Sequence, residues 1–492
     1  MGKIKLGGVI LFALLVHVGG INGKPLKPVF IQLHITNPLS NISESDLGQI
    51  LSGRIGNFAQ LGGMGGKIRF FADPGVAEEL KKSYPGLKLD ERSFDDEAIM
   101  SDGRFIGLSD VRGLRPFFKT AYIGHTLPWG RIRDDRSLER SDAYPFVMEG
   151  ATAWDPGSHL SIVQTGVTAM TRAFIYAVEK SGDLFSPIRY TEKTTSGADL
   201  AITSNEVSFV EPCSYPLKNN MIFCSPLRYF KILLKSGFDV IELTGNHNND
   251  YGAQYNTRTI EMLEQAGIAY FGGGKKKSDA ETVRFVTVKG TVIAFIGFNE
   301  CGPEIAWAAG SRAGAARLSK ELFARSIREA AQKADAVFVS VQWCNENDPV
   351  PHQIQKNYFH AAADMGATII VSSSAHRPMG LEFYRGRFIS YGLGNFLFDQ
   401  MQSENNRLGL IARHHLYKGR HVATELIPYM IHDYSQPRII SGSREKRLMQ
   451  EVFRYSIGLP FSDLTRAPRT PSAIWTSCPR SALQHPVGSL SH

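Results

Sequence analysis

The chain has 492 residues, 43% of them hydrophobic and 21% charged, which is the composition of a folded protein too long for one ordinary core. Its net charge of +8 comes mostly from scattered basic residues. That argues against a dedicated nucleic-acid domain and leaves room for attraction to anionic polymers or surfaces.

Lys3 and Lys5 precede the apolar run Leu6 to Val18, followed by Gly19-Gly20-Ile21-Asn22-Gly23. This is the layout of a secretory signal peptide over residues 1–23, with an uncleaved membrane anchor as the alternative. The expected location is secreted, periplasmic or cell-surface. Cys213 and Cys224 flank a Pro/Asn-rich loop that a disulfide could close. The odd total of five cysteines leaves at least one thiol free or intermolecular. Residues 24–150 read as a small α/β lobe. Its strands are expected at 29–34, 67–71 and 117–123, with helices over 45–51 and 76–83. Residues 130–158 are charged and irregular and read as a linker. From Leu160 an apolar strand, a polar loop and a helix recur, with strands near 160–165, 198–203, 238–243, 285–298, 337–342 and 368–371. Repeated β-helix-β units predict a mainly parallel or mixed sheet covered by helices. Lys289-Gly290 splits the strands of 285–298, and Arg385-Gly386 reads as the turn of a strand pair. Residues 436–492 read as a short helix over 445–455 and a Pro/Ser/Arg-rich tail.

Polar clusters recur where strands end: Thr165-Gly166-Val167-Thr168, Ser204-Asn205-Glu206, Gly245-Asn246-His247, Gln342-Trp343-Cys344-Asn345-Glu346, Ser372-Ser373-Ser374-Ala375-His376 and Tyr391-Gly392-Leu393-Gly394-Asn395. In α/β sheets ligands bind outside the strand carboxyl ends, so six such clusters describe the rim of one pocket. Five polar side chains, Asn246 to Asp250, directly after a glycine are more than a turn needs.

In order and spacing these motifs resemble the CapA/PgsA family of poly-γ-glutamate capsule biosynthesis proteins, within the calcineurin-like metallophosphoesterase superfamily. The resemblance runs from 158 to about 435. It rests on Ser204-Asn205-Glu206, Gly245 to Gly252, Gly272-Gly273-Gly274, Trp343 with Glu346, His376, Tyr391 to Phe396 and Phe398-Asp399. It implies a layered α-β-β-α metallophosphoesterase-like domain over 158–435. Asp46 to Gly63 and Asp102 to Leu108 resemble one lobe of a phosphate-type periplasmic binding protein.

The chain departs from the family pattern at Val167, where an Asp is expected, and at Gln342 and Ser374, where His is expected. What the resemblance leaves is a reduced metal site of Glu206, Asn246, His376 and Gln342, suited to one Mn, Mg or Zn ion. His247 is expected to act beside Asn246 as general acid or oxyanion donor. Asn205, Asp250, Glu346 and Asn395 are expected to contact substrate, with capping of the next helix as the alternative use of Asp250. Two functions follow from the resemblance. One is a metal-dependent hydrolase acting on an anionic extracellular polymer or γ-glutamyl substrate. The other is a non-catalytic polymer-binding or capsule-assembly protein working with other capsule-synthesis proteins.

Overall fold

The computed structural model describes residues 27–63, 65–90, 96–133, 135–139, 144–148, 151–213, 221–343 and 348–460. The expected signal peptide, Cys344, Glu346, Cys478 and most of the tail lie outside these residues.

Two mixed sheets face each other. In the first, His159–Thr168, Leu200–Asn205, Val240–Glu242 and Ala269–Phe271 run parallel. The antiparallel strands Leu408–Tyr417, Arg420–His432 and Gln436–Ile439 extend it on the other side. In the second, Thr291–Asn299, Ala336–Gln342, Ile369–Ser372 and Arg387–Ser390 run parallel, with antiparallel strands Arg284–Val288 and Leu381–Tyr384 at the edges.

Alternation along each strand creates the layers, because successive side chains point to opposite faces. Leu160, Ile162, Leu200 and Val240 of one sheet meet Ile293, Phe295, Phe338 and Ile369 of the other in a shared apolar core. Their neighbours Val163, Ala201 and Ile241 face outward onto Phe174, Ile260 and Leu263 of the helices Ala173–Ser181 and Ala253–Gln265. On the far side, Ala294, Val337 and Ile370 pack on Phe323, Ile327 and Phe359 of Lys320–Lys333 and Gln353–Asp364. The result is the α-β-β-α layering that the resemblance implied. Lys289 and Gly290 both have positive φ, as do Arg385 and Gly386, and each pair closes a tight hairpin turn.

Residues 130–158 differ from the expected linker. Gly130–Ile132 pairs with Leu138–Glu139, and Val147–Met148 pairs with Lys27–Pro28. Their strands are two or three residues long, too short to show alternation in a charged sequence. The late helix runs over Gly442–Arg454. The N-terminal region packs directly on the sandwich. Trp129 lies against His159 and His415 with ring centroids 4.9 and 4.6 Å apart. Arg420 donates to the carbonyls of Val111 and Leu114.

Candidate functional site

The strand ends of both sheets converge on a cavity of about 380 Å³ lined by Arg172, Glu206, Phe223, Asn246, His247, His376 and others. Gly245 permits this convergence. A Cβ there would lie 2.5 Å from the Cα of Glu206.

Gln342 is buried behind the wall that Glu206 and Asn246 form. Its Nε2 donates to Glu206 Oε1 and to Asn246 Oδ1, both at 2.8 Å. The orientation of this amide is fixed from behind by Asn299. Asn299 Oδ1 accepts from the Gly302 N–H and the Trp307 indole, which forces its Nδ2 toward the Thr244 carbonyl and Gln342 Oε1. Two unambiguous donors therefore decide which end of Gln342 faces Glu206 and Asn246.

The two imidazoles are locked in the same way. Asp250 Oδ2 lies 2.7 Å from His247 Nδ1 and also accepts from the Phe223 N–H. A carboxylate accepts here, so Nδ1 carries a proton. Asn395 Nδ2 donates to the carbonyls of His376 and Asn406, so its Oδ1 faces His376 Nδ1 at 2.8 Å. His376 also carries its proton on Nδ1.

These contacts place the expected site residues. Glu206, Asn246, His247, His376 and Gln342 are brought together. Asp250 orients His247. The expected alternative of a helix cap is corrected, because the helix Ala253–Gln265 begins at Gly252 without a side-chain cap. Asn395 is fully buried and orients His376 instead of reaching the cavity. Asn205 is also buried and closes a turn by donating to the Val207 carbonyl. Glu346 lies outside the described residues.

Sequence reasoning missed Arg172 and Glu242. Arg172 has φ of 53°, an uncommon conformation for a non-glycine residue. Its guanidinium pairs with Asp399 at 2.5 Å and lies over the rings of Phe223 and Phe398. Its Nε is buried and has no hydrogen-bond partner among the described residues. Asp399 also accepts from the Ala173 N–H at the start of the next helix, so one carboxylate holds the backbone and the arginine. The Phe398-Asp399 pair was a signal for this contact; Arg172 itself had none. Glu242 is buried behind the cavity and accepts from the hydroxyls of Thr244, Ser373 and Ser340. Burial pushes its carboxyl above the usual range, and nearby Glu206 adds to the effect.

The donor set does not fit a resident divalent ion. Gln342 presents N–H to both oxygens that such an ion would need, while its own oxygen points away. Metal ligands must offer lone pairs. Val167 stands in an apolar cluster with Phe223 and Phe398. No group of three or more His, Cys, Asp or Glu among the described residues is arranged to hold a metal.

Residues 161–400 match the family of bacterial capsule synthesis proteins, PGA_cap. The chain is similar to the PGA biosynthesis protein CapA of Bacillus subtilis (strain 168), at 31% identity over 228 residues. It is also similar to the capsule biosynthesis protein CapA of Bacillus anthracis, at 28% over 226 residues. Residues 161–400 carry this likeness to the CapA proteins. The two matches cover 46% and 45% of this chain but only 60% and 55% of those CapA proteins. Among solved structures, a 5'-nucleotidase precursor from Thermus thermophilus is similar at 12% identity and a TM-score of 0.33, covering 57% of this chain and 56% of that one.

Proposed function

We propose that this CapA-like chain takes part in making poly-γ-glutamate capsule by binding the polymer's carboxylates in the cavity, without a resident metal. The observation that carries this reading is the Arg172 guanidinium, held by Asp399 in a cavity wall that also presents His247 and His376. A carboxylate is the acceptor that a guanidinium binds most strongly. The Gln342 amide supplies Glu206 with the hydrogen-bond donor in place of a cation. The names of the CapA relatives supply the substrate class.

The test is calorimetric titration of the full chain with a short γ-linked glutamate oligomer. Arg172→Gln is expected to weaken binding by about tenfold, the effect of losing one charge-assisted contact. Chelator is expected to change nothing. A stoichiometric ion that survives dialysis and disappears in Glu206→Ala would overturn the metal-free reading. The His247–Asp250 pair favours a second reading, proton transfer to or from a bound γ-glutamyl amide. Chelator-resistant cleavage of the oligomer, abolished in His247→Gln, is its expected signature.

A further inference from the structure

Phe398, Asp399 and Gln400 together build one wall of the candidate site. Phe398 gives it a ring, Asp399 holds the Arg172 guanidinium, and Gln400 adds a half-buried primary amide.

Which end of the Gln400 amide meets the cavity follows from its neighbours. Asn395 Nδ2 faces the carbonyls of His376 and Asn406 at 3.1 and 3.0 Å, and Asn406 Nδ2 faces the His376 carbonyl at 3.2 Å. Carbonyls only accept, so both of these nitrogens are donor ends. Gln400 Oε1 lies 3.3 Å from the first and 3.4 Å from the second. The reverse orientation would set the Gln400 nitrogen against two other N–H groups. The oxygen therefore points into the protein. Gln400 Nε2 makes no hydrogen bond among the described residues and, unlike Arg172 Nε, it is not sealed from solvent, so it opens at the cavity wall.

Asn246 is turned in the same sense. Its Oδ1 accepts from Gln342 Nε2, which leaves Nδ2 as the outward end in the same cavity. The cavity thus presents uncharged donors beside its guanidinium.

Charge does not select a ligand here by itself. Arg172 and Glu206 line the cavity with formal charges of opposite sign. A dense polyanion that brings one carboxylate to Arg172 brings its neighbours toward Glu206, and like charges set side by side are disfavoured. A chain whose carboxylates are separated by neutral amide carbonyls meets the same wall with less repulsion. Its carbonyl oxygens need donors in place of the water they lose, and an uncharged N–H supplies one.

We propose that Gln400 is a specificity residue of this cavity: its Nε2 donates to an amide carbonyl oxygen of the bound chain while Arg172 takes a carboxylate, so that carboxylate-bearing polyamides are chosen over polyanions that lack amides. The inference rests on the reading of the cavity as a carboxylate-binding site.

The test titrates the full chain by calorimetry with a short γ-linked glutamate oligomer and with a polyacrylate oligomer of equal carboxylate count, which has no amide. The parent is expected to prefer the glutamate oligomer. Gln400→Met is expected to weaken binding of that oligomer about fivefold, the effect of one uncharged hydrogen bond, and to leave polyacrylate binding unchanged. Gln400→Glu keeps an oxygen for Asn395 and Asn406 but loses the donor, and is expected to bind the glutamate oligomer no better than Gln400→Met does. Thermal unfolding of each variant checks that it is folded. Parent-like binding by Gln400→Glu would assign Gln400 to holding its asparagine neighbours and overturn the donor role. Unchanged affinity in Gln400→Met, or equal parent affinity for the two probes, overturns the selection. A parent that binds neither probe sinks this inference together with the carboxylate reading. Arg172→Gln separates the two: if it binds the oligomer like the parent while Gln400→Met binds more weakly, the carboxylate contact falls and the Gln400 contact stands.

Discussion

At the scale of single residues, the candidate site is decided by which end of an amide faces inward. Gln342→Ala removes the donor shared by Glu206 and Asn246. The expected cost is about 1–3 kcal/mol of unfolding free energy, the usual penalty for stripping a partner from buried polar groups, read by urea denaturation. Glu242 gives a pH prediction. Its folded carboxyl is raised above the unfolded value by burial. The folded state therefore holds its proton at pH values where the unfolded chain has lost it, and stability falls as pH rises through that window. Glu242→Gln is expected to match the parent in stability in acid and to exceed it progressively as pH rises above about 4.3, the ordinary glutamate value. Glu206, Asn246, His247 and His376 were legible in the sequence because each follows an apolar strand. The amide's orientation was not, because it is imposed by Asn299, Gly302 and Trp307 through contacts that no local pattern encodes.

At the scale of elements, the Cys213–Cys224 disulfide ties down the segment that brings Phe223 to the cavity. Phe223 lies with its ring 4.2 Å from that of His247 and donates its N–H to Asp250. Replacing both cysteines by serine is expected to cost about 3 kcal/mol, the loop-closure value for the 11-residue separation. It is also expected to weaken oligomer binding, because Asp250 then loses a donor that fixes it against His247. Thermal unfolding and titration with and without reductant check both. The strands and hairpin turns of the sandwich were readable because long apolar alternation and positive-φ turn residues leave marks in sequence. The short strands within 130–148 were not, since two or three residues are too few to show alternation.

At the scale of the whole molecule, the N-terminal region and the sandwich meet around buried imidazoles. Burial lowers His34 to about 4 and His421 to about 3, and holds His414 and His415 well below the ordinary value. In each case the unfolded chain takes up protons near 6.5, whereas the folded one does so only at lower pH. Stability is therefore full above about 6.5 and lost as pH falls toward the folded values. The melting temperature is expected to drop steeply between neutral pH and about pH 5, and more gently in a His34→Gln variant. The layered fold was legible from the β-helix-β repetition. The docking of the N-terminal region was not, because Phe30, Trp129 and Val422 read as ordinary core residues until they are seen in one cluster.

The strand Ala336–Gln342 has a further consequence. Asp335 precedes it in a second cavity, and Gln342 ends it beside the candidate site. Seven residues of extended chain set the two about 20 Å apart. The strand is buried along its whole length, so nothing outside the protein runs straight from one end to the other, and the two ends answer to separate surroundings.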